Sequence, residues 1–426
     1  MSDVINHPKL DLDRSLSAQQ RVLLRRVAEA ATARQLPLYL VGGLVRDLLL
    51  GSPATDFDLV VEGDAIVLAK ALAAQHGGQV TAHVRFGTAQ WFLPDSDGHA
   101  LDFISTRSET YKHPGALPTV GPGQLTDDLA RRDFTINTLA VRIDGEHWGE
   151  LRDALGGLND LKRRLVRVLH PGSFLDDPTR LFRAVRYEQR YGFQIAPETL
   201  ILIPPARPLI ASLSAERLRH ELDLILEEEQ VIAMLNRLAE LDLLQPVHPA
   251  LAWNEPRRER FINGLSLIRE GHSKAIPASA GRGFLNWHFW LLDLASADLQ
   301  SLERRLHFHG KLLESLLAAS ALFADLPSLA GMEKPSQYVT RLEDLPITAV
   351  YAVFLSIPDG QARQNLHHYL ETWRHVKPKT NGHELKKRGL QPGPRFQQIL
   401  TRLRQAWLDG EVKTEMEEME LLDTLI

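Results

Sequence analysis

Hydrophobic and polar positions in the first third of the chain predict a unit that mixes strands with helices. Residues 18–34 carry apolar side chains at helical spacing, and the stretch LPLYLV that follows has the continuous apolar character of a buried strand. Gly42 and Gly43 interrupt this strand, and LVRDLLLG resumes as a helix that ends at Gly51. The same patterns predict a helix over DAIVLAKALAAQHGG and strands over DFDLVV, QVTAHVRFGTAQWFL and HALDFIS.

From about Ile143 onward the strand signals fade and amphipathic helices take over. Leu-rich helical periodicity, broken by Pro and Gly, is present in residues 179–190, 214–229, 231–243, 298–325 and 396–408. The expected fold is therefore an α+β head with a mixed sheet, followed by an all-α neck, body and tail. The expected domain boundaries are 1–167 for the head, 168–250 for the neck, 251–335 for the body and 336–426 for the tail.

Composition and charge narrow the class of protein. The 426 residues include no cysteine, which excludes disulfides and thiolate metal sites. No segment has the roughly 20 apolar residues that cross a bilayer, so we expect a cytoplasmic protein with no membrane partner. The net charge is -5, yet residues 374–404 contain nine Lys or Arg and a single acid, Glu384, so a local nucleic-acid surface is compatible with the sequence.

Two carboxylates interrupt the second predicted strand. Asp56 and Asp58 are separated by one residue, so on a strand both side chains point to the same face. Carboxylates held this close repel each other unless a cation or a proton lies between them. Oxygen ligands of this kind suit Mg²⁺, which binds through one or two carboxylates together with substrate phosphates. The pair predicts a Mg²⁺ site with Asp56 and Asp58 as its ligands; the alternative is a solvated strand end.

A phosphate-binding turn is predicted beside this pair. Gly42 and Gly43 lie between a strand and a helix, where missing side chains let a triphosphate approach backbone N–H groups, and Arg46 follows one helical turn later. Asp102, in the strand LDFIST, is a candidate third catalytic carboxylate, with a strand-edge aspartate as the alternative. Together these residues indicate a nucleotide site that uses a metal ion.

Several motifs follow one another along the first half of the chain. They are LVGGLVRDLLLG with DFDLV, then DLARRDFTINTLAV, DALGGLNDLKRRLVRVL, DDPTRLFRAVRYEQRYGF and LSAERLRHELDLIL. Over residues 36–230 their order and spacing resemble those of class II tRNA nucleotidyltransferases and bacterial poly(A) polymerases. The resemblance implies a polymerase-β-like head and an enzyme that adds CMP and AMP to tRNA 3′ ends from CTP and ATP, without a nucleic-acid template and with two metal ions.

The resemblance also implies roles for individual residues. Asp56 and Asp58 would hold the Mg²⁺ ions that activate the 3′-hydroxyl and stabilise the leaving pyrophosphate. Gly43 and Arg46 would contact the triphosphate. The other nucleotide-binding residues that it implies are Arg132 on the nucleotide, Asp133 and Asn137 at the ribose, Asp177 and Arg180 on the base, and Arg183 and Arg186 on the nucleotide.

The chemistry of the base-reading pair can be argued from the residues. Asp177 and Arg180 are three positions apart, which would place them on one helical face. The carboxylate offers acceptors and the guanidinium offers donors, so together they can pair with a Watson–Crick edge. Cytosine and adenine both present an exocyclic amine and a ring-nitrogen acceptor, so one pair of side chains can select both. For the arginine series at 180, 183 and 186 the alternative is an exposed charged helix face.

The sequence favours one member of the family over the others. The segment HVRFGTAQWFL lacks the basic element usual in poly(A) polymerases, and residues 106–128 form a long Pro- and Gly-rich stretch that CC-adding enzymes lack. We therefore expect full CCA addition. The nearest alternative is addition of the terminal A alone, which would require a separate CC-adding enzyme as partner, because YKHPGALPTV also resembles A-adding enzymes.

Two further features bear on these expectations. Asp176 stands where the family usually has Glu, which shortens the first acid of the Asp176–Asp177 pair. A degenerate head that only binds RNA is a competing interpretation, but such heads typically lose a metal carboxylate and this chain retains both. In the tail, KKRGLQPGPRFQQIL carries Lys386, Lys387, Arg388 and Arg395 around a glycine turn, and we expect this cluster to contact tRNA phosphates rather than to be a solvated helix surface.

Overall fold

The computed structural model describes residues 9–53, 57–94, 100–110, 119–271 and 281–426. The chain divides into two compact units, Met1–Leu213 and Ser214–Ile426. The first contains all the strands that the described residues form, and the second is helical. The predicted α+β head followed by a helical remainder is confirmed, whereas the four-part domain division stays a prediction.

The first unit is built on a seven-stranded mixed sheet. Its strands follow the order β3-β4-β5-β2-β1-β8-β9, in which only β2 and β5 run parallel. Two smaller pairs, antiparallel β6-β7 and parallel β10-β11, lie outside this sheet. The strands are β1 (Leu38–Val41), β2 (Asp58–Val61), β3 (Gln79–His83), β4 (Thr88–Phe92), β5 (Ala100–Ser105), β6 (Arg107–Thr110), β7 (Thr119–Pro122), β8 (Ala140–Arg142), β9 (Glu150–Arg152), β10 (Leu165–Val166) and β11 (Gln194–Ile195).

Helices cover and extend this sheet. Helix α4 packs against β4 and β5, and α5 places Leu125 and Leu129 in a core with Tyr39, Val41 and Val60 of the central strands. The helices of the first unit are α1 (Leu12–Ser15), α2 (Ala18–Thr32), α3 (Gly43–Leu49), α4 (Ala65–His76), α5 (Leu125–Ala130), α6 (Gly157–Arg163), α7 (Ser173–Asp176), α8 (Arg180–Tyr191), α9 (Pro197–Leu200) and α10 (Ile203–Ala206).

The second unit packs amphipathic helices around buried aromatic and leucine side chains. Its helices are α11 (Ala215–Leu226), α12 (Val231–Glu240), α13 (Glu255–Arg269), α14 (Arg282–Leu291), α15 (Ser296–Leu306), α16 (Gly310–Ala324), α17 (Leu326–Ala330), α18 (Pro335–Leu342), α19 (Ile347–Ser356), α20 (Gln361–Glu371), α21 (Gly382–Lys387), α22 (Pro394–Leu408) and α23 (Glu415–Leu425). Within the described ranges, no helix combines the length and the apolar character needed to cross a membrane.

Three elements differ from the sequence pattern. The segment QVTAHVRFGTAQWFL is a hairpin whose strands β3 and β4 flank a short 3₁₀ turn at Val84–Phe86. Strands continue beyond Ile143, because β9 closes one edge of the sheet. This strand has three residues, too few to show a period in the sequence. Residues 298–325 form two helices, since α15 stops at His307, which has a left-handed φ of +50°.

A fully buried histidine connects three helices of the second unit. His288 of α14 donates from Nδ1 to the carbonyl of Phe284 at 2.7 Å, and its Nε2 accepts from the hydroxyl of Ser315 on α16 at 2.8 Å. Ser315 in turn contacts the hydroxyl of Thr348 on α19 at 2.8 Å. Burial lowers the pKa of His288 to about 4, so the imidazole is neutral in the folded protein.

This histidine predicts a stability that falls as the pH falls. Below pH 6.5 the unfolded chain takes up a proton at this position while the folded chain does so only near pH 4, so acid favours unfolding across that interval. We expect the free energy of unfolding to lose about 2–3 kcal/mol between pH 7 and pH 4.5 from this group. Urea titrations should show a smaller loss of stability between pH 7 and pH 4.5 in His288→Asn than in the wild type. Exposed His383→Asn serves as control, and equal slopes in all three proteins would contradict the assignment.

Candidate nucleotide and metal site

A cleft of about 560 Å³ in the first unit brings together most of the residues that the motifs single out. Arginines outnumber aspartates five to three in its lining, so the cleft favours an anionic ligand. The lining consists of Gly43, Asp58, Ile104, Arg107, Arg131, Arg132, Asp133, Asn137, Asp177, Thr179, Arg180, Arg183 and Tyr187.

The carboxylates lie on neighbouring parallel strands. Asp58 opens β2 and is in register with Asp102 of β5, so their Cα atoms are about 4.8 Å apart by strand spacing. Both side chains share the sheet face of Val60 and Ile104, which pack in the α5 core. Asp56 lies outside the described residues, so its predicted role stays a prediction. The described carboxylates form no cluster of three that could hold a metal, but two adjacent oxygen ligands beside a phosphate-favouring cleft fit Mg²⁺.

The glycine turn lies directly against one of the cleft arginines, Arg132. Gly42 has a left-handed φ of +69° and connects β1 to α3, and its N–H donates to the carbonyl of Leu139 at 3.0 Å. A side chain here would overlap the guanidinium of Arg132, which packs directly against the turn. Nε of Arg132 is buried and has no hydrogen-bond partner within the described parts of the chain. Gly42 thus lies against Arg132, and Gly43 and Arg132 both line the cleft, while their contact with a nucleotide stays a prediction.

Arg46 lies behind the turn rather than in the cleft. It is 3% exposed, and its guanidinium donates to Oδ1 of Asn137 at 2.5 Å and to the carboxylate of Asp47 at 2.9 and 3.1 Å. Burial lowers the pKa of Arg46, but the hydrogen bonds to Asp47 outweigh burial and the net shift is upward. The rings of Tyr187 and Tyr191 lie 5.1 and 4.5 Å from its Cζ atom. The predicted contact with a triphosphate has no support in this geometry, in which Arg46 orients Asn137.

Asp133 continues this chain of interactions to the helix that follows. Its Oδ1 accepts from Nδ2 of Asn137 at 2.9 Å, and its Oδ2 accepts from Nε of Arg183 at 2.7 Å. Burial raises the pKa of Asp133, but the charge of Arg183 and the hydrogen bonds outweigh it and hold the pKa below the ordinary value. Asp133 and Asn137 line the cleft as expected, although their side chains are committed to each other and to the arginines.

The base-reading pair does not share a helical face. Asp177 has extended backbone and precedes α8, which begins at Arg180, so the prediction of an i, i+3 pair on one helix is wrong. The Asp177 carboxylate accepts from the N–H and hydroxyl of Thr179, at 3.0 and 2.7 Å. Arg180 donates to the hydroxyl of Ser173 at 2.6 Å and to the carbonyl of Arg131 at 2.9 Å. Both side chains nevertheless line the cleft.

Several site residues were absent from the sequence prediction. Arg107 and Arg131 line the cleft, and Asp128, which is completely buried, binds both Arg131 and Arg132. The i, i+3 and i, i+4 spacing in DDLARRD could have indicated Asp128. Arg186, by contrast, was predicted but is 5% exposed and does not line the cleft.

The tail cluster is partly engaged within its own unit. Arg388 pairs with Asp423, and Arg395 donates to the carbonyl of Ile426 at 2.8 Å. Lys386 and Lys387 are exposed on α21. Lys387 forms an exposed ion pair with Glu384 at 3.5 Å, and the two arginines also anchor α23.

Comparison with known proteins places these features in a family. Residues 38–167 match the family model described as "Poly A polymerase head domain", and residues 192–254 match "Probable RNA and SrmB- binding site of polymerase A". An A-adding tRNA nucleotidyltransferase from Halalkalibacterium halodurans is 31% identical over 98% of this chain and 94% of its own length. One from Geobacter sulfurreducens is 34% identical over 96% of this chain, which spans 47% of that relative's length.

Solved structures agree with the fold along nearly the whole chain. A CCA-adding enzyme in an apo form aligns with a TM-score of 0.84 and 28% identity, covering 97% of this chain and 98% of its own. A Thermotoga maritima CCA-adding enzyme complexed with tRNA aligns with a TM-score of 0.77, at 28% identity over 97% of both chains. A CCA-adding enzyme complexed with ATP aligns with a TM-score of 0.80, at 26% identity over 98% of this chain and 99% of its own.

The glycine turn gives a prediction about anion binding. Gly42→Ala should displace the Arg132 guanidinium and raise the Kd for inorganic triphosphate by about tenfold, the scale of one charged hydrogen bond. Gly51→Ala is the matched control, because Gly51 has a similar φ of +76° but nothing within 4 Å of an added Cβ. Both variants place an alanine at positive φ, so calorimetric titration compares a substitution that overlaps Arg132 with one that does not. Equal affinities for the two variants would show that Arg132 does not depend on the turn.

Proposed function

The chain belongs to the family of class II tRNA nucleotidyltransferases and poly(A) polymerases, and from this premise we propose that it adds the terminal AMP to tRNA that already ends in CC. The observation that carries the proposal is the match to an A-adding relative over nearly the whole of both chains. Other relatives that match most of this chain are likewise named A-adding. These relatives favour the A-only alternative over the full CCA addition that the sequence analysis preferred.

The proposed reaction joins the tRNA to a nucleotide without a template. The 3′-hydroxyl oxygen of the tRNA attacks the α-phosphorus of ATP, the bond from that phosphorus to the pyrophosphate breaks, and the hydroxyl proton is lost to solvent. When bound, Mg²⁺ would stabilise the charge on the attacking and leaving oxygens. Asp58 and Asp102, together with Asp56, are the residues that would hold it.

The arginines, the glycine turn and Asp177 would bind the triphosphate and the base of ATP. The backbone N–H of Gly43 and the guanidinium of Arg132 would bind the triphosphate, while the N–H of Gly42 is bound to the carbonyl of Leu139. Asp177 and Arg180 would contact the adenine edge, the carboxylate accepting from the exocyclic amine and the guanidinium donating to a ring nitrogen. Their fixed positions, set by Thr179 and Ser173, support this role because a rigid pair discriminates donors from acceptors.

The tail supports a tRNA partner in this proposal. Lys386 and Lys387 are exposed at the end of α21, and Gly389 and Gly393 turn the chain into α22. Exposed lysines around such a turn suit phosphate contacts, which position a nucleic acid without reading its bases. We include Arg388 and Arg395 in this cluster, although they also hold the C-terminal helix.

Three tRNA substrates distinguish the activities. tRNAs that lack the last three, two or one nucleotides are incubated with Mg²⁺ and with CTP, ATP or both. We expect extension by ATP alone, and only of the tRNA that ends in CC. Extension of all three substrates to the full CCA end would replace the proposal with CCA addition, and multiple additions of AMP would indicate poly(A) synthesis.

The carboxylates predict a loss of catalysis with retained tRNA binding. Asp58→Asn and Asp102→Asn should each slow AMP incorporation by at least about 100-fold, the scale of losing one preorganised contact to a transition state. The tRNA Kd should stay within about twofold, because neither residue belongs to the proposed tail contact. Asp13→Asn, on the exposed surface of α1, is the control for charge removal. Full activity of Asp58→Asn would refute the metal assignment.

A further inference from the structure

A buried carboxylate beneath the cleft carries an inference that rests on the proposed function. We propose that Asp128 is a positioning residue, which fixes Arg131 and Arg132 in the orientation that meets the phosphates of ATP. Asp128 is completely buried and does not line the cleft, so it acts through the two arginines rather than by touching the nucleotide.

The contacts of Asp128 divide between its two oxygens. Oδ1 accepts from Nε and Nη2 of Arg131 at 3.0 and 2.6 Å, and Oδ2 accepts from Nη2 of Arg132 at 3.1 Å. The side chains of Arg131 and Arg132 are 18% and 17% exposed, and both line the cleft. One carboxylate therefore sets the direction of two adjacent guanidinium groups.

The carboxylate is itself held rigidly. Asp128 lies in α5, whose first N–H, at Leu125, donates to Oε1 of Glu62 at 2.7 Å. The other oxygen of Glu62 accepts from the hydroxyl of Tyr39 in the central strand β1 at 3.1 Å. Leu129, the neighbour of Asp128, is buried against that sheet. Asp128 thus holds the two arginines in a fixed position relative to the sheet.

Holding an arginine side chain in place before the phosphate binds lowers the entropic cost of binding. An arginine side chain gives up much rotamer freedom when it binds a phosphate, and a partner that holds it in place beforehand removes that cost from binding. Arg132 is also confined on its other side by the Gly42 turn. Arg131 also connects this group to Arg180, the proposed contact to adenine, because the carbonyl of Arg131 accepts from the Arg180 guanidinium at 2.9 Å.

The sign of one substitution separates positioning from simple electrostatics. Asp128→Asn removes a negative charge near the cleft, so a purely electrostatic role predicts tighter binding of ATP. Positioning predicts the opposite, because the amide offers the arginines a weaker partner and lets them move. We expect the KM for ATP to rise by about tenfold, with a smaller change in kcat.

A matched variant controls for stability. Asp160 is also buried, accepts from Thr135 at 2.7 Å and from Arg167 at 3.0 Å, and lies outside the cleft lining. Asp160→Asn should cost stability as Asp128→Asn does, but should leave the KM for ATP within about twofold. If the two variants share the same KM at a temperature where both are folded, Asp128 is merely structural and the proposal is overturned.

A second variant keeps the test decisive if Asp128→Asn does not fold. Asp128→Glu retains the charge but moves the carboxylate by one methylene, so positioning predicts a raised KM and electrostatics predicts none. An unchanged or lowered KM in either variant would overturn the proposal. Equilibrium binding of inorganic triphosphate to the same variants needs no tRNA, so a wild type that binds triphosphate but extends no tRNA would refute the proposed function while the Asp128 variants still report on positioning.

Discussion

The first unit depends on a connected series of charged and polar side chains whose middle members are buried and whose ends, Asp47 and Arg183, are 29% and 32% exposed. Asp47 binds Arg46, Arg46 binds Asn137, Asn137 binds Asp133, and Asp133 binds Arg183. Because buried charges are costly unless they are paired, these contacts must form together, and removing one partner of a buried pair typically costs about 3–5 kcal/mol. These side-chain contacts connect α3, the 3₁₀ turn Thr135–Asn137 and α8. They therefore fix the glycine turn relative to the helix that begins with Arg180.

Because these contacts fix α3 relative to α8, the carboxylates and most of the arginines come from different parts of the first unit. The sheet supplies Asp58 to the cleft lining and places Asp102 beside it, because β2 and β5 pair in parallel register. The segment after α5 and the start of α8 supply the arginines, which are held by partners that face away from the cleft, such as Asp128 and Ser173. A nucleotide with its metal matches both halves, because the phosphates suit the guanidinium groups and the cation suits the carboxylates.

The sequence predicted the parts of the site that depend on local pattern. Periodicity and glycine positions gave β1, α3, β2 and the turn at Gly42, because those features are set by neighbours in the chain. Local pattern could not show that Arg46 faces the interior, since its partner Asn137 is 91 residues away. The prediction also misplaced Asp177 on a helix, although Pro178 directly after it disfavours helical backbone at Asp177, where the structure has extended backbone and a carboxylate bound to Thr179.

In the proposed function, selection between adenine and cytosine would have to come from residues beyond Asp177 and Arg180. Both bases present an amine and a ring-nitrogen acceptor in the same order, so this pair would reject guanine and uracil without separating adenine from cytosine. An enzyme that adds only A therefore needs a second feature that senses whether CC is already in place. The β6-β7 strand pair contacts the cleft through Arg107, and β7 is followed by α5, which carries Asp128. A change in this strand pair would therefore reach Arg131 and Arg132, the arginines that we propose bind the phosphates of ATP.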